Sequence, residues 1–215
     1  MAHPIEIEFA VNIDPKRKMH QFYLLQIRPI VFNNNVLSDN VEEIAQSDTI
    51  IYSKNALGHG ITNNVQDIVY VKTENFDATN NPKIVDEIDE INRKFLQEGK
   101  NYVLVGPGRW GSSDHWLGIP VKWAQISAAK VIVECGLSSY RIDPSQGTHF
   151  FQNLTSFGVG YFTINPYIND GFFDENYLKT LPATTETTHL RHVHFPKPIE
   201  IKIDGKKGVG VVMKM

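Results

Sequence analysis

Residues 145–162, SQGTHFFQNLTSFGVGYF, carry the pattern around which the rest of the chain is arranged. Four apolar residues recur at helical spacing and predict a short helix with one buried face: Phe150, Phe151, Leu154 and Phe157. Gly158 ends this helix, and residues 159–164 read as a strand. His149 follows Gly147 and Thr148 on the first helical turn. Unpaired N–H groups and the positive end of the helix dipole make such a position suitable for a phosphate or a carboxylate.

Bulk composition excludes several classes of protein. The chain has 215 residues, 41% of them hydrophobic, 21% charged, and a net charge of −3. This balance provides no basic surface for nucleic acid or for an anionic membrane, and the apolar runs have strand length. The one cysteine, Cys135, ends an apparent buried strand. We therefore expect a cytoplasmic protein with no nucleic-acid partner, no membrane contact and no internal disulfide bond.

The amino-terminal segment predicts a β-hairpin. Apolar and polar residues alternate over 5–13, a polar turn follows at 14–18, and 22–27 is a second strand before Pro29. An isolated hairpin is marginally stable, which suggests that it is part of a larger domain.

This segment resembles the end of the ATP-grasp nucleotide-binding domain of phosphoenolpyruvate synthase and pyruvate phosphate dikinase. The resemblance lies in IEFA at 7–10 and LLQIRP at 24–29. It implies that Glu8 and Gln26 hold Mg²⁺ with ATP, and that Arg28 contacts the phosphates. A carboxylate and an amide oxygen suit a hard cation, and a guanidinium suits phosphate oxygens. The alternative is a purely structural role, in which Glu8 and Arg28 form a cross-strand pair.

The middle of the chain predicts alternating strands and helices. A helix starting at residues 80–82 and closed by Gly99 is indicated by five apolar residues at helical spacing: Ile84, Val85, Ile88, Ile91 and Phe95. A buried strand at 102–105 follows, then a glycine-rich loop, a helix at 121–129 and a strand at 130–134. This order favours an α/β fold with a mixed sheet and covering helices.

The glycine-rich loop predicts an anion site. Its glycines allow close backbone approach, a guanidinium supplies several donors and two hydroxyls follow. The residues concerned are Gly106, Gly108, Arg109, Gly111, Ser112 and Ser113.

The same loop permits a second interpretation, a dinucleotide site. Gly106, Gly108 and Gly111 fit G-x-G-x-x-G, and Glu134 ends the next strand. Gly118 and Pro120 prevent a continuous helix after the loop, which weighs against this alternative.

Two further patterns occur near the end of the chain. His192 and His194 share a strand face, where they could bind zinc, but a polar strand face is the preferred interpretation. Residues 199–213 predict a terminal hairpin with a turn at Asp204 and Gly205.

A second resemblance concerns the opening stretch. Gly147-Thr148-His149, followed by FGVG at 157–160, is similar to the motif of the mobile swivelling domain that carries a phosphohistidine in the same family. One glycine, a serine and a pair of alanines of that motif are missing here, with Phe150 and Phe151 in place of the alanines.

Together the two resemblances imply a carboxyl-terminal fragment of a phosphotransferase. They imply a hairpin remnant of the ATP-grasp domain at 1–30, a linker at 31–49 and a swivelling-domain-like α/β domain at 50–215. His149 would receive a phosphoryl group from ATP, supported by Gly147 and Thr148, and pass it toward pyruvate. The partners would be the rest of the ATP-grasp domain and a phosphate-bearing or small carboxylate ligand. Two alternatives remain open: a non-catalytic anion-binding or interface domain of an ATP-grasp protein, and a dinucleotide-binding enzyme.

Overall fold

The computed structural model describes residues 5–13, 20–29, 40–145, 154 and 157–215. The chain divides into two compact units, Met1–Phe32 and Asn33–Met215. Residues 40–49, at the end of the predicted linker, belong to the second unit. Val41 is fully buried in a small cluster with Tyr52 and Val211.

The described part of the first unit is a β-hairpin, as its alternating pattern predicts. Strand β1 (Ile5–Asn12) pairs antiparallel with β2 (Gln21–Pro29), and the register has an irregularity after Glu8. Apolar side chains along both strands are exposed, among them Phe9, which is 53% exposed, and Leu25, which is 60% exposed.

The second unit is built on one ten-stranded mixed sheet. Its strands are β3 (Thr49–Ser53), β4 (Asn55–Leu57), β5 (Gly60–Val71), β6 (Tyr102–Pro107), β9 (Ala129–Cys135), β10 (Gly160–Ile164), β11 (Phe172–Phe173), β12 (Ala183–Glu186), β13 (Leu190–Asp204) and β14 (Val209–Met213). They lie in the order β11-β3-β14-β13-β5-β6-β9-β10-β4, with β12 on β13. Strands β5, β6, β9 and β10 are parallel to one another, and the other pairings are antiparallel. The predicted mixed α/β sheet is therefore present, and β13 and β14 form the predicted terminal hairpin.

A short strand pair lies outside this sheet. Strands β7 (Arg109–Trp110) and β8 (Gly118–Ile119) pair parallel within the segment that follows β6. Three-residue turns of 3-10 helix occur at Val41–Glu43, Gln46–Asp48, Ala78–Asn80, Trp123–Gln125 and Pro166–Ile168.

Two α-helices accompany the sheet in the described part of the chain. Helix α1 (Asn81–Glu98) has Pro82 in its first turn and ends at Gly99. Gly99 has φ +64° and donates its N–H to the carbonyls of Leu96 and Phe95, so a glycine suits this left-handed cap. In α2 (Glu175–Thr180), the Asp174 side chain caps the first turn by accepting from the Tyr177 N–H at 2.9 Å. Helix α1 is as predicted.

The predicted helix at 121–129 is wrong. Only Trp123–Gln125 forms a turn of 3-10 helix there. The cause lies in α1, where Asn92 is fully buried. Its amide donates to the Ala124 carbonyl at 3.0 Å and accepts from the Ala128 N–H at 2.9 Å. These bonds replace the backbone bonds that a helix would supply.

The two faces of the parallel strands are buried in different ways. On one face, α1 packs Ile84, Ile88 and Phe95 onto Val69, Leu104 and Ile132. On the other face, Ile68, Val103, Val131 and Phe162 cluster with Ile201 and Val212 of the antiparallel strands.

The sheet curls on itself, because β3, next to β11 at one end of the strand order, is nearly continuous in sequence with β4 at the other end. Only Lys54 separates β3 from β4, yet β3 pairs with β14 and β4 pairs with β10. The Ser53 hydroxyl donates to the Thr163 carbonyl at 2.8 Å across this junction.

Candidate functional site

The candidate site lies at the carboxyl ends of β6, β9 and β10, which are adjacent and parallel. Ligands of open α/β sheets bind at such an edge, because the loops that follow the strands meet there. The glycine-rich loop leaves β6 at this edge. Glu134 is near the end of β9, and Asn165 follows β10.

The backbone N–H groups of the glycine-rich loop bind within the protein. Gly108 donates to the Cys135 carbonyl at 3.2 Å, Arg109 to Leu117 at 3.0 Å and Gly111 to Ile119 at 2.9 Å. The Trp110 N–H donates to Oε1 of Glu134 at 3.0 Å. An anion at this loop would therefore be bound mainly by side chains.

Two glycines of the loop are explained by close packing. A Cβ on Gly106 would lie 2.3 Å from the Trp110 ring, and a Cβ on Gly108 would lie 2.6 Å from the Tyr140 ring. Gly108 also has φ +67°, a conformation that glycine adopts without strain. Trp110 is buried and donates its indole N–H to the Val133 carbonyl at 3.0 Å.

The polar side chains of the loop differ in their hydrogen bonds and in their exposure. Arg109 donates from Nε to the Asp143 carbonyl at 2.6 Å, which directs its guanidinium toward the segment leading to His149. The Ser112 hydroxyl donates to the Asp114 carbonyl at 2.8 Å and accepts from the Asp114 N–H. Ser113 is exposed.

Glu134 is the centre of the polar network at this edge. It is 3% exposed, and its carboxylate accepts four hydrogen bonds. The donors are the Trp110 N–H at 3.0 Å, the Ser145 N–H at 2.9 Å, the Ser145 hydroxyl at 2.5 Å and the Tyr161 hydroxyl at 2.6 Å. Burial raises the pKa of the Glu134 carboxyl above its usual value, although these donors act in the opposite direction.

His149, Gly147 and Thr148 lie outside the described residues, but the chain on both sides of them is placed. Ser145 is bound to Glu134. Leu154 is fully buried in the same cluster as Trp110.

The three residues predicted to bind nucleotide lie in the hairpin. Glu8 pairs directly with Gln26 across the two strands, and Arg28 pairs with Glu6. Glu8 and Arg28 are therefore diagonal neighbours across the two strands and not direct partners. Glu8 and Gln26 place a carboxylate and an amide on neighbouring strands, which is a donor set that suits Mg²⁺.

The two histidines of the strand face share one carboxylate. Nε2 of His192 lies 2.7 Å from Oδ1 of Asp67, and Nδ1 of His194 lies 2.8 Å from the same oxygen. Asp67 is buried; the histidines' hydrogen bonds outweigh the opposing effect of burial and lower its pKa. Among the described residues, no three or more His, Cys, Asp and Glu side chains are placed to hold a metal ion.

Sequence reasoning missed the roles of Asp67, Ser145 and Tyr161, and it noted Glu134 only as the acid that ends the strand after a possible dinucleotide-binding loop. The buried carboxylate instead holds the protein's own donors, and no helix continues from Gly111. One signal could have identified it: Glu134 is an acidic residue within an apolar strand, where an unpaired charge would be costly. Cys135 is buried at the end of β9, as expected, and burial raises its pKa to about 12.

Comparison of the chain with protein-family models, with curated proteins and with solved structures finds no match. Within the described part of the chain, no helix is both long enough and apolar enough to cross a bilayer.

Proposed function

We propose that this chain is the phosphoryl-carrying part of an ATP-dependent phosphotransferase similar to phosphoenolpyruvate synthase and pyruvate phosphate dikinase. His149 is the carrier. ATP is the donor, and a small carboxylate such as pyruvate is the final acceptor. The mixed sheet is compatible with a swivelling-domain-like fold.

One observation carries the proposal: Glu134 binds both the glycine-rich loop and the segment that leads to His149. Its Oε1 accepts from the Trp110 N–H, and its Oε2 accepts from the Ser145 N–H. This arrangement supports the association of His149 with the Arg109 side chain at one edge of the sheet. The guanidinium of Arg109 is a group that can stabilise the negative charge on a phosphoryl group during transfer.

The chemistry is two displacements at phosphorus. A neutral imidazole nitrogen of His149 attacks a phosphoryl group of ATP. A P–N bond forms while a P–O bond of ATP breaks, and the displaced phosphate oxygen leaves with the electron pair. With pyruvate as the acceptor, a methyl proton is lost to solvent, the resulting enolate oxygen attacks the phosphorus, the P–N bond breaks and the neutral imidazole is restored. Glu8 and Gln26 would hold Mg²⁺, which neutralises phosphate charge when it is bound, and Arg28 would contact the phosphates.

A second candidate is an anion-binding or interface domain with no catalytic role. It is favoured by the loop's N–H groups, which already donate to Cys135, Leu117, Ile119 and Glu134. In this alternative the loop braces the edge of the sheet, and His149 binds an anion without being modified.

Phosphoryl labelling separates the two candidates. We expect the protein to take up label from phosphoryl-labelled ATP with Mg²⁺, or from phosphoramidate when the ATP site is incomplete. The label should be acid-labile and base-stable. It should disappear in His149→Ala and persist in His115→Ala, a control histidine in the segment after the same loop. No label from either donor, or label that survives in His149→Ala, contradicts the carrier role.

A further inference from the structure

A cleft of about 570 Å³ lies at the carboxyl end of β5, the parallel neighbour of β6. It is bordered by the chain after β5 and by the turn between β12 and β13. None of the residues lining it belongs to the glycine-rich loop or to the Glu134 network. Its volume is within the range of small-molecule sites, about 300–1,000 Å³.

Two side chains of this cleft carry buried polar atoms that have no hydrogen-bond partner among the described residues. They are the hydroxyl of Tyr70 and Nε of Arg191. Tyr70 is 0% exposed. The two residues are direct cross-strand partners on β5 and β13, so their side chains project from the same face of the sheet. Buried polar groups are almost always paired, and an unpaired one needs an explanation.

Both atoms are donors. Arg191 Nε can only donate, and the Arg191 Nη atoms are already bound to the Glu186 carboxylate and to the Leu181 carbonyl. Burial, and then the neighbouring Glu175 carboxylate, raise the pKa of Tyr70 well above its usual value, so its hydroxyl keeps its proton. Two donors on directly paired residues can serve one oxygen acceptor of a ligand.

The charges around the cleft favour an uncharged ligand. Three cations line it, Lys72, Lys179 and Arg191, and so do three carboxylates, Glu74, Asp77 and Glu186. Each cation already faces a carboxylate. Lys72 lies 3.5 Å from Glu186, Lys179 lies 3.5 Å from Glu74, and Arg191 is bound to Glu186.

A ligand carboxylate bound by Tyr70 would be placed near like charges. Glu175 and Glu186 both act on the Tyr70 hydroxyl by charge. Like charges brought together in a partly buried cleft are unfavourable. A neutral oxygen carries no such penalty.

The rest of the lining suits hydroxyl groups. Carboxylates accept from hydroxyls, lysine ammonium groups donate to them, and the amides of Asn75 and Asn80 can do both. Phe76 supplies an apolar ring to the wall and packs on Tyr140 with ring centroids 5.1 Å apart. Alternating donors and acceptors beside an aromatic ring complement a sugar, which has polar edges and an apolar face.

We propose that this cleft binds a neutral monosaccharide, one oxygen of which accepts hydrogen bonds from the Tyr70 hydroxyl and from Nε of Arg191. None of the residues lining the cleft has a part in the chemistry proposed for His149.

The test is calorimetric titration of the full chain with D-glucose, D-galactose, D-mannose and D-ribose as probes. D-Glucuronate and D-glucosamine carry a negative and a positive charge on the same kind of ring, and they test the charge argument. We expect at least one neutral sugar to bind with a Kd below about 10 mM and at least tenfold more tightly than glucuronate does.

Three variants locate the bound sugar. Tyr70→Phe removes only the hydroxyl, and Arg191→Lys keeps the charge while removing the Nε donor. Each should weaken binding about tenfold, as expected when a buried hydrogen bond to a ligand is lost. Tyr102→Phe is the matched control, because the buried Tyr102 hydroxyl donates to Asn92 at 3.1 Å in a different part of the core. It should bind the sugar as the unmodified chain does.

Three results overturn the proposal. The first is no binding of any neutral sugar in this range, in which case water satisfies the two donors. The second is tighter binding of glucuronate than of the neutral sugars. The third is unchanged binding in Tyr70→Phe, a variant whose fold is checked by its thermal midpoint.

Discussion

At the scale of single residues, Glu134 shows why a buried acid can be required for structure. Backbone N–H groups face both of its oxygens, from Trp110 on one side and from Ser145 on the other. A backbone N–H cannot accept, so both oxygens must remain acceptors. Glutamine has the same shape but only one acceptor oxygen, and its amide nitrogen would face a donor in either orientation.

We therefore expect Glu134→Gln to lower the free energy of unfolding by about 1–3 kcal/mol, the range for leaving buried polar groups unsatisfied. Urea denaturation measures this change. Glu90→Gln is the matched control, because Glu90 forms an exposed ion pair with Lys94 on α1. It should change stability by less than about 0.5 kcal/mol. Equal effects of the two substitutions would contradict the structural role of Glu134.

Asp67 provides a pH dependence of definite sign. Its pKa is lowered in the folded state from an ordinary value of 3.8, because the hydrogen bonds from His192 and His194 outweigh burial. The stabilisation is therefore complete above pH 3.8 and is lost as the pH falls through the lower folded value.

Asp67→Asn should reduce stability at neutral pH by about 1–3 kcal/mol and flatten the loss of stability below pH 4. Urea titrations between pH 3 and pH 7 measure both effects. Asp86→Asn, which changes an exposed carboxylate on α1, should retain the original slope. An unchanged slope in Asp67→Asn would show that the two histidines do not hold this carboxylate.

At the scale of elements, close packing around the loop after β6 explains why the loop contains glycines. Gly106→Ala should cost about 1–3 kcal/mol, because its Cβ would lie 2.3 Å from the ring of Trp110, and an overpacked core is destabilised by this amount. Gly99→Ala is the comparison. Gly99 has φ +64° and open space around it, so an alanine there would be strained only in its backbone conformation. It should cost about 1 kcal/mol. Thermal denaturation distinguishes the two. A Gly106→Ala variant as stable as the wild-type chain would contradict the observed packing.

The elements also show what could be predicted from the sequence. Helix α1 was predictable because its start, its apolar face and its terminal glycine are all local signals. The segment at 121–129 was not, because its backbone is satisfied by Asn92, about thirty residues earlier in the chain. The candidate site likewise has one part that the sequence predicts and another part that it does not. The glycine-rich loop is visible in the sequence, but the carboxylate that joins it to Ser145 depends on β9 and β6 being neighbours. The Tyr70–Arg191 pair depends on a contact between distant strands, which no local pattern reveals.

At the scale of the whole molecule, the hairpin stands out because its apolar residues are exposed. Phe9 and Phe22 stack with ring centroids 5.1 Å apart, and both rings are more than half exposed. Exposed apolar patches of this kind promote association.

We expect Phe9→Ser combined with Leu25→Ser to reduce self-association while the thermal midpoint of the second unit is retained. Light scattering across a concentration series measures the first effect, and near-ultraviolet circular dichroism follows the second. Ser113→Ala, an exposed change in the second unit, is the control and should not alter association. Unchanged self-association in the double variant would show that the exposed apolar residues of the hairpin do not mediate it.

The junction at Lys54 has a consequence for how the chain folds. Ser53 and Thr163 are 110 residues apart in sequence, whereas β5, α1 and β6 are consecutive elements that can form early. Closing a long loop lowers the entropy of the chain before the contacts that it brings together can stabilise the fold. The β3–β14 and β4–β10 pairings should therefore form after the folding transition state. Substitutions at Ser53 should mainly accelerate unfolding, and substitutions in the buried face of α1 should mainly slow folding.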